Sequence, residues 1–416
     1  MSTLSGLSIK SILNRKMLVS FIMGFASGLP LLLTITVLQA WMKEEGVDLT
    51  VIGLFALVGL PYTVKFIWAP FLDRFTLPFL GRRKGWLLVA QIALICSIAI
   101  LGFTNPGKTP WMVAVAAFLV TFFSASQDIV VDAYRREDLA DEELGLGSSL
   151  YVNGYRLGML LASGGGLIMA DHMSFSMVYF ILALCMLPGV LTTLLTPEPL
   201  IPSGTPKTMK EAVLNPLFEY FSRQDALWML AFILFYKIGD TMASAMTTPF
   251  YLDIGFSKTE IGTVVKLFGF WATIIGGLVG GILMLRLGIN RSLWVFGFLQ
   301  ATSTAGFALL ARVGHSIPLL SGVIAFENLS SGMGTAAYVA FMASITNKKF
   351  TATQYALLSS LMGIPRVLAS APTGFFAKNL GWASFFITCA LIAIPGMLIL
   401  FKFAPWGSRE KELDRQ

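Results

Sequence analysis

Asp128 and Asp132 stand four residues apart in the run SASQDIVVDAYRREDLADEELGLGSSLYVNGYRLGMLLASGGG (124–166). On a helix that spacing puts both carboxyls on one face. Two carboxylates held close in a low dielectric resist double ionisation, so one tends to keep a proton near the working pH. The pair is therefore a candidate proton carrier. The same residues also suit a closed gate, with Asp132 paired to Arg136 and Asp128 to Lys65 or Arg156. Glu327, followed by Asn328, has no local counter-charge; it must find a cation across a cavity or stay protonated, which makes it a second proton-linked candidate. Lys237 and Asp240 are three apart and can neutralise each other.

These charges lie inside apolar segments. Hydrophobic residues make up 56% of the 416 and charged residues 13%, against roughly 45–50% and 25% in soluble domains. With a mean hydropathy of +0.74, the chain reads as an all-α polytopic membrane protein. Twelve runs are long enough to span, at about 20 residues each: 17–41, 49–70, 86–105, 111–134, 147–170, 174–195, 226–252, 258–285, 292–312, 316–346, 351–377 and 382–403. Helices are required, because an isolated strand cannot satisfy its backbone in lipid. The first run is too long for a cleavable signal and is expected to be retained as a span.

With the N-terminus placed inside, 20 of the 30 Lys and Arg fall on the cytoplasmic side and five outside, so both termini are expected in the cytoplasm. The other five are intramembrane. The segment 201–225 divides an N-terminal half (1–200) from a C-terminal half (226–416). It opens as a Pro- and Gly-punctuated linker, and from Lys207 it suits an amphipathic stretch on the inner surface. A faint repeat supports two related halves: SSL precedes Arg156 in span five and SSL precedes Arg366 in span eleven, and each Arg is followed by LAS. Parallel repeats about an axis along the membrane normal leave such a trace.

The buried charges are Lys65 (span two), Asp128 and Asp132 (four), Arg156 (five), Lys237 and Asp240 (seven), Lys266 (eight), Glu327 (ten) and Arg366 (eleven). Spans three, six, nine and twelve carry none. An ionised side chain at a helix centre costs about 2.5–3.5 kcal/mol on insertion scales. One helix in three is thus expected to face lipid while the rest line a wet cavity between the halves. Five basic groups against four acidic leave an excess of only +1 when all are ionised, growing whenever an acid is protonated, and Arg forks hold carboxylates bidentately. Phe235, Tyr236, Trp271 and Tyr155 offer flat apolar faces to a ligand, although packing is the better explanation of them. Gly24, Gly28, Gly154 and Gly158 permit close helix approach, and Pro30 is expected to kink span one.

Other chemistry is excluded. Gly102–Thr109 fits the Walker A pattern, but it follows a spanning helix rather than a strand and lies outside the cytoplasm, so no phosphate loop is expected. Cys96, Cys185 and Cys389 sit in separate spans and form neither a disulfide framework nor a zinc site. His172 and His315 fall at outer turns. No catalytic cluster remains, so the chain is not expected to be an enzyme. EDLADEE (137–143) reads as a solvated turn capping span five.

Twelve spans with a central loop, and Asp73-Arg74 followed by GRRKG between spans two and three, resemble the major facilitator superfamily, here with FTLPFL inserted between the two parts of the motif. GFASGLP (24–30), LQAWM (38–42), SASQDIVVDA (124–133), GYRLGML (154–160), YKIGD (236–240), ENLSSGMGTAAY (327–338) and ATQYALLS (352–359) resemble the AmpG muropeptide permeases across almost the whole chain. That resemblance implies twelve transmembrane helices in two six-helix halves. It also implies proton-driven import of GlcNAc-anhydro-MurNAc and its peptides across the bacterial inner membrane by a monomer, with no cofactor beyond the proton gradient and no nucleic-acid partner. Acetyl-CoA transporters are similar to the same family, which keeps another anionic conjugate as the alternative cargo. Within this frame Asp128, Asp132 and Glu327 are the proton-coupling candidates. Lys65, Gln127, Arg156, Tyr236, Lys237, Asp240, Lys266, Trp271, Asn328 and Arg366 are the substrate-binding candidates, and Asp73, Arg74, Arg82 and Arg83 the gating ones.

Overall fold

The computed structural model describes residues 14–47, 51, 55–199, 208–257, 260–369 and 372–406. Lys10, Lys207, Lys258, Arg409, Lys411 and Arg415, which contribute to the charge bias, lie outside the described residues. Every regular element among the described residues is helical. Among the described residues, seven helices are long and apolar enough to cross a membrane, and one of them, Thr263–Val313, is two helices joined across a kink. Its halves meet at Gly288, whose φ of 73° and ψ of 167° reverse the chain in a conformation that favours glycine.

The four other predicted runs are helical but interrupted or polar. Span two is the most broken: a 3-10 turn at Phe55–Gly59, helix Leu60–Val64, a second 3-10 turn at Lys65–Ile67, and helix Ala69–Arg74. Pro61 and Pro70 sit at the first turns of the two short helices, where a missing N–H is tolerated but a continuous helix is not. Thr121 Oγ1 donates to the Val58 carbonyl at 2.6 Å, satisfying one group freed by the break. Span one runs as Arg15–Leu32, then a π-helical stretch at Leu33–Val37 just after Pro30, as the proline ring predicts. Span five has its own π stretch at Leu161–Gly165. Span eight opens with a reciprocal capping box: Ser257 N–H donates to Glu260 Oε2 at 2.7 Å, and Glu260 N–H to Ser257 Oγ at 3.2 Å. Those bonds, with His315 at 3.1 Å, hold the exposed Glu260 carboxyl below the usual range.

The chain forms two compact units. The first comprises Met1–Ala140, Leu150–Pro216 and Thr346–Leu357; the second comprises Asp141–Ser149, Leu217–Ile345 and Leu358–Gln416. In the first, Leu29, Leu94, Leu101, Val120, Tyr179 and Leu182 pack a core. In the second, Phe250, Phe307, Leu320, Ile324, Phe385 and Phe386 do the same. Spans three, six, nine and twelve present exposed apolar side chains such as Ile92, Leu191, Phe298 and Leu391, and spans two, four, seven and eight do so as well, with Ile67, Trp111, Leu227 and Ile275.

Inside the first unit, spans one and five touch through their backbones. A Cβ built on Gly154 would lie 2.0 Å from the Phe21 carbonyl oxygen, and one on Gly28 would lie 1.9 Å from that of Tyr155. Gly24 and Gly158 are equally tight against Tyr151 and Phe25. These glycines are therefore packing residues. Gly154→Ala is expected to destabilise the detergent-solubilised protein by about 1–3 kcal/mol, seen as a lower melting temperature. Gly322→Ala, with open space around it, should be neutral or slightly stabilising, and equal melting of the two variants would refute the contact.

Candidate functional site

The first unit gathers polar groups from spans one, two and four around Asp128. Pro61 and the two short helices of span two bring Tyr62 and Lys65 inward, and Lys65 is buried at the joint between helix and 3-10 turn. Its ammonium group faces both Asp128 and Asp132. Asp128, Gln127 and Ser124 lie on the helix Pro110–Asp138 and are all buried. Gln127 donates to Ser27 Oγ at 3.4 Å. Tyr62 Oη, Ser124 Oγ, Gln127 Oε1 and Asp128 Oδ1 are buried with no hydrogen-bond partner. An unsatisfied buried polar atom costs about 1–3 kcal/mol; Tyr62 faces Ser124 and Asp128 faces Ser27, so the node answers part of that cost from within.

Asp132 is paired with Arg135 at 3.1 Å, and not with Arg136 as its spacing also allowed. Arg135 makes two further contacts. Its guanidinium lies 4.2 Å from the centre of the Tyr151 ring and donates to Tyr355 Oη at 3.0 Å. Tyr355 belongs to the segment Thr346–Leu357, which packs as part of this unit.

One turn further on, a second ion network joins the ends of spans two, three and four. Glu137 accepts from Arg82 at 2.8 Å and from Arg83 at 2.6 Å, and Arg83 also donates to Asp73 Oδ1 at 2.8 Å. Asp73 Oδ2 in turn accepts from Thr353 N–H at 2.8 Å and Thr353 Oγ1 at 2.7 Å. Glu198 takes the backbone N–H groups of Arg83 and Lys84 at 2.7 and 3.0 Å, an anion on a helix N-terminus. Of the four gating candidates, three are thus brought together. Arg74 is half-buried and stands over the Phe75 ring at 5.3 Å, away from the carboxylates of this network. Glu137 corrects one expectation: it is only 8% exposed, so the EDLADEE segment begins as a buried counter-ion. Within it Ala140, Asp141 and Glu142 are exposed.

In the second unit, span seven is interrupted. Helix Ala226–Phe235 ends and helix Ile238–Asp253 begins on either side of Tyr236 and Lys237. Lys237 Nζ pairs with Asp240 Oδ2 at 3.3 Å and donates to Thr335 Oγ1 at 3.0 Å. Glu327, buried on the helix Ile317–Ser344, accepts from Ser303 Oγ at 2.6 Å. Asn328 donates to the Ile324 carbonyl and accepts from Thr273. Tyr236 is buried, gives its hydroxyl to the Leu293 carbonyl at 2.9 Å and stacks on Tyr338 at 5.7 Å. Lys266 and Trp271 are exposed on their helix, and Arg156 is half-buried on Leu144–Leu160. Arg366 lies on Thr351–Leu368, one residue after Pro365, and its side chain lies outside the described residues.

Sequence reasoning missed Tyr62, Arg135, Glu137, Ser303, Thr353 and Tyr355. The signal for Glu137 was available: an acidic residue directly after the intramembrane face of Asp128 and Asp132 extends the same helix by little more than one turn. Ser303 and Thr353 carry no such mark. At Gly102–Thr109 the structure has a turn between helices Arg82–Gly102 and Pro110–Asp138, and no strand precedes it. The three cysteines are free. Breaking a buried ion pair by removing one partner costs about 3–5 kcal/mol. Glu137→Gln is therefore expected to lower thermal stability markedly, whereas Glu142→Gln should change it by less than about 0.5 kcal/mol. Matching unfolding curves for the two would return Glu137 to a solvated turn.

Comparison with known proteins accords with this architecture. The chain matches the model of the Major Facilitator Superfamily over residues 17–312 and 238–415. It is 46% identical to the anhydromuropeptide permease of Escherichia coli (strain K12) over 382 residues, covering 91% of this chain and 78% of that protein. It is 32% identical to putative transporter AmpG 4 of Rickettsia conorii, over 91% of this chain and 94% of the relative. The crystal structure of the human organic anion transporter MFSD10 superposes with a TM-score of 0.66 at 14% identity, covering 95% of this chain and all of the other, a likeness of fold alone. With its interrupted apolar helices and buried ions, this chain belongs to the major facilitator superfamily and is a multi-pass membrane transporter rather than an enzyme.

Proposed function

We propose that this transporter imports anhydro-muropeptides, GlcNAc-anhydro-MurNAc and its peptides, across the bacterial inner membrane, driven by the proton gradient. The observation that carries this reading is the 46% identity to an anhydromuropeptide permease over nine-tenths of the chain. The chemistry of the buried residues supports it. Such fragments carry carboxylates and sugar hydroxyls; Lys65, Gln127 and Arg156 offer donors in the first unit, and Lys237 and Arg366 in the second. Unpartnered Tyr62, Ser124 and Asp128 atoms suit hydroxyl or water contacts.

The protein is read as a monomer with both termini in the cytoplasm. Its halves 1–200 and 226–416, joined by 201–225, give alternating access. No cofactor is needed: one charge crossing the membrane gains about 2.3 kcal/mol per 100 mV. Asp128, Asp132 and Glu327 are the carboxyls that take part in proton movement, and Asp73, Arg82 and Arg83 close the gate.

Labelled GlcNAc-anhydro-MurNAc-peptide should accumulate in proteoliposomes when an inward proton gradient is imposed, and acetyl-CoA should not compete. Competition by acetyl-CoA with no uptake of the muropeptide would replace the cargo. Asp128→Asn and Asp132→Asn are expected to abolish accumulation against a gradient while keeping counterflow. If both variants still concentrate the substrate, that pair does not carry the proton.

A further inference from the structure

The second unit holds an ion cluster whose charges do not balance. Lys237 sits at the interruption of span seven, where the chain turns between two helices, and Asp240 lies in the first turn of the second helix. The ammonium pairs with Asp240 at 3.3 Å and is steadied by Thr335 at 3.0 Å. Thr335 lies two turns after Glu327 on the same helix, so both project toward span seven. Glu327 is 8% exposed, and its Oε2 accepts the Ser303 hydroxyl at 2.6 Å. The Asp240 carboxyl meets that of Glu327.

Two carboxyl groups in contact cannot both be ionised without strong repulsion, and a hydrogen bond between them requires a proton on one. Lys237 supplies one positive charge for two acids, and Ser303 and Thr335 supply none. Among the described residues, the ionisable groups facing Glu327 are Asp240 and Lys237, with the Tyr251 hydroxyl, while Tyr236 faces Asp240. The phenols stay neutral at working pH. The cluster is therefore electrically neutral only with one proton bound.

We propose that Asp240 and Glu327 share the proton taken up when substrate binds, apart from any carried by Asp128 and Asp132, and that a carboxylate of the substrate competes with Asp240 for Lys237. The inference rests on the reading of the protein as an importer of anionic cargo. When an anion takes Lys237, Asp240 loses its counter-charge and the acid pair holds its proton more tightly. Conversely, a protonated pair leaves Lys237 free to hold the anion. Each ligand thus favours the other, as linkage demands. Proton and anion enter together. The only bond made or broken is O–H on a carboxyl, and the proton comes from the solution on the loading side. Asp240 thereby becomes a proton partner rather than a direct substrate contact.

The test uses the full-length protein in detergent with GlcNAc-anhydro-MurNAc-tripeptide as probe. Above the pH at which the empty pair gives up its proton, binding in weakly buffered solution should take up about one proton per probe bound, and affinity should there fall about tenfold per pH unit. Glu327→Gln should bind with no proton uptake and with affinity independent of pH. Ser303→Ala, which removes only the hydroxyl, should keep uptake and shift the midpoint of the pH profile. Proton uptake unchanged in Glu327→Gln, or absent in the wild type although it binds and exchanges the probe, would overturn the proposal and leave the importer reading intact. Should Glu327→Gln fail to fold, Asp240→Asn carries the same expectation and the same refutation. Wild-type counterflow is measured first, because its absence sinks the importer reading and with it the premise of this one.

Discussion

An ion inside hydrocarbon has to be answered from within the protein, because no water stands by to solvate it. That constraint explains most of what is specific in this structure. Glu137 receives two arginines, Asp73 divides its oxygens between Arg83 and Thr353, and Asp132 takes Arg135. Where the answer is incomplete, function is the better explanation than stability. The orphaned oxygens around Asp128 and the two acids facing one lysine in the second unit are such places.

The fold was legible because lipid imposes a simple grammar. Long apolar runs could be read without coordinates, and the helices follow those runs. The residues of the site were legible as candidates for the same reason: Lys65, Asp128, Glu327 and Lys237 stand out against apolar neighbours. Their partners were not. Each residue on a helix turns through about 100°, so Asp132 has Arg135 and Arg136 at almost equal sequence distance, and only the packing of Tyr151 and Tyr355 around Arg135 decides between them. Ser303 sits in a span that looks bland because its polar residues carry no charge. Thr353 reaches Asp73 across 280 residues, a pairing that no local pattern encodes.

Helix interruptions mark the same places. Lys65 lies at a joint of span two and Lys237 at the break in span seven, and both joints free backbone groups that a continuous helix would have used. Proline accounts for the first, through Pro61 and Pro70. The second has no proline at the break, and its polar neighbours Lys237 and Asp240 accompany the change of course. Irregular backbone at membrane depth is tolerated where it lines protein or water, and in both units it carries a lysine beside carboxylates.

Spans one and five meet at four glycines with carbonyl oxygens lodged where side chains would otherwise be. Two rods meshed that closely cannot slide lengthwise, since any axial step would drive a carbonyl into the next residue's Cβ. They are obliged to travel as a single stiff beam. Whatever bending the first unit undergoes during a cycle must then be absorbed elsewhere, and span two, already cut into short pieces around Lys65, is the compliant member beside them.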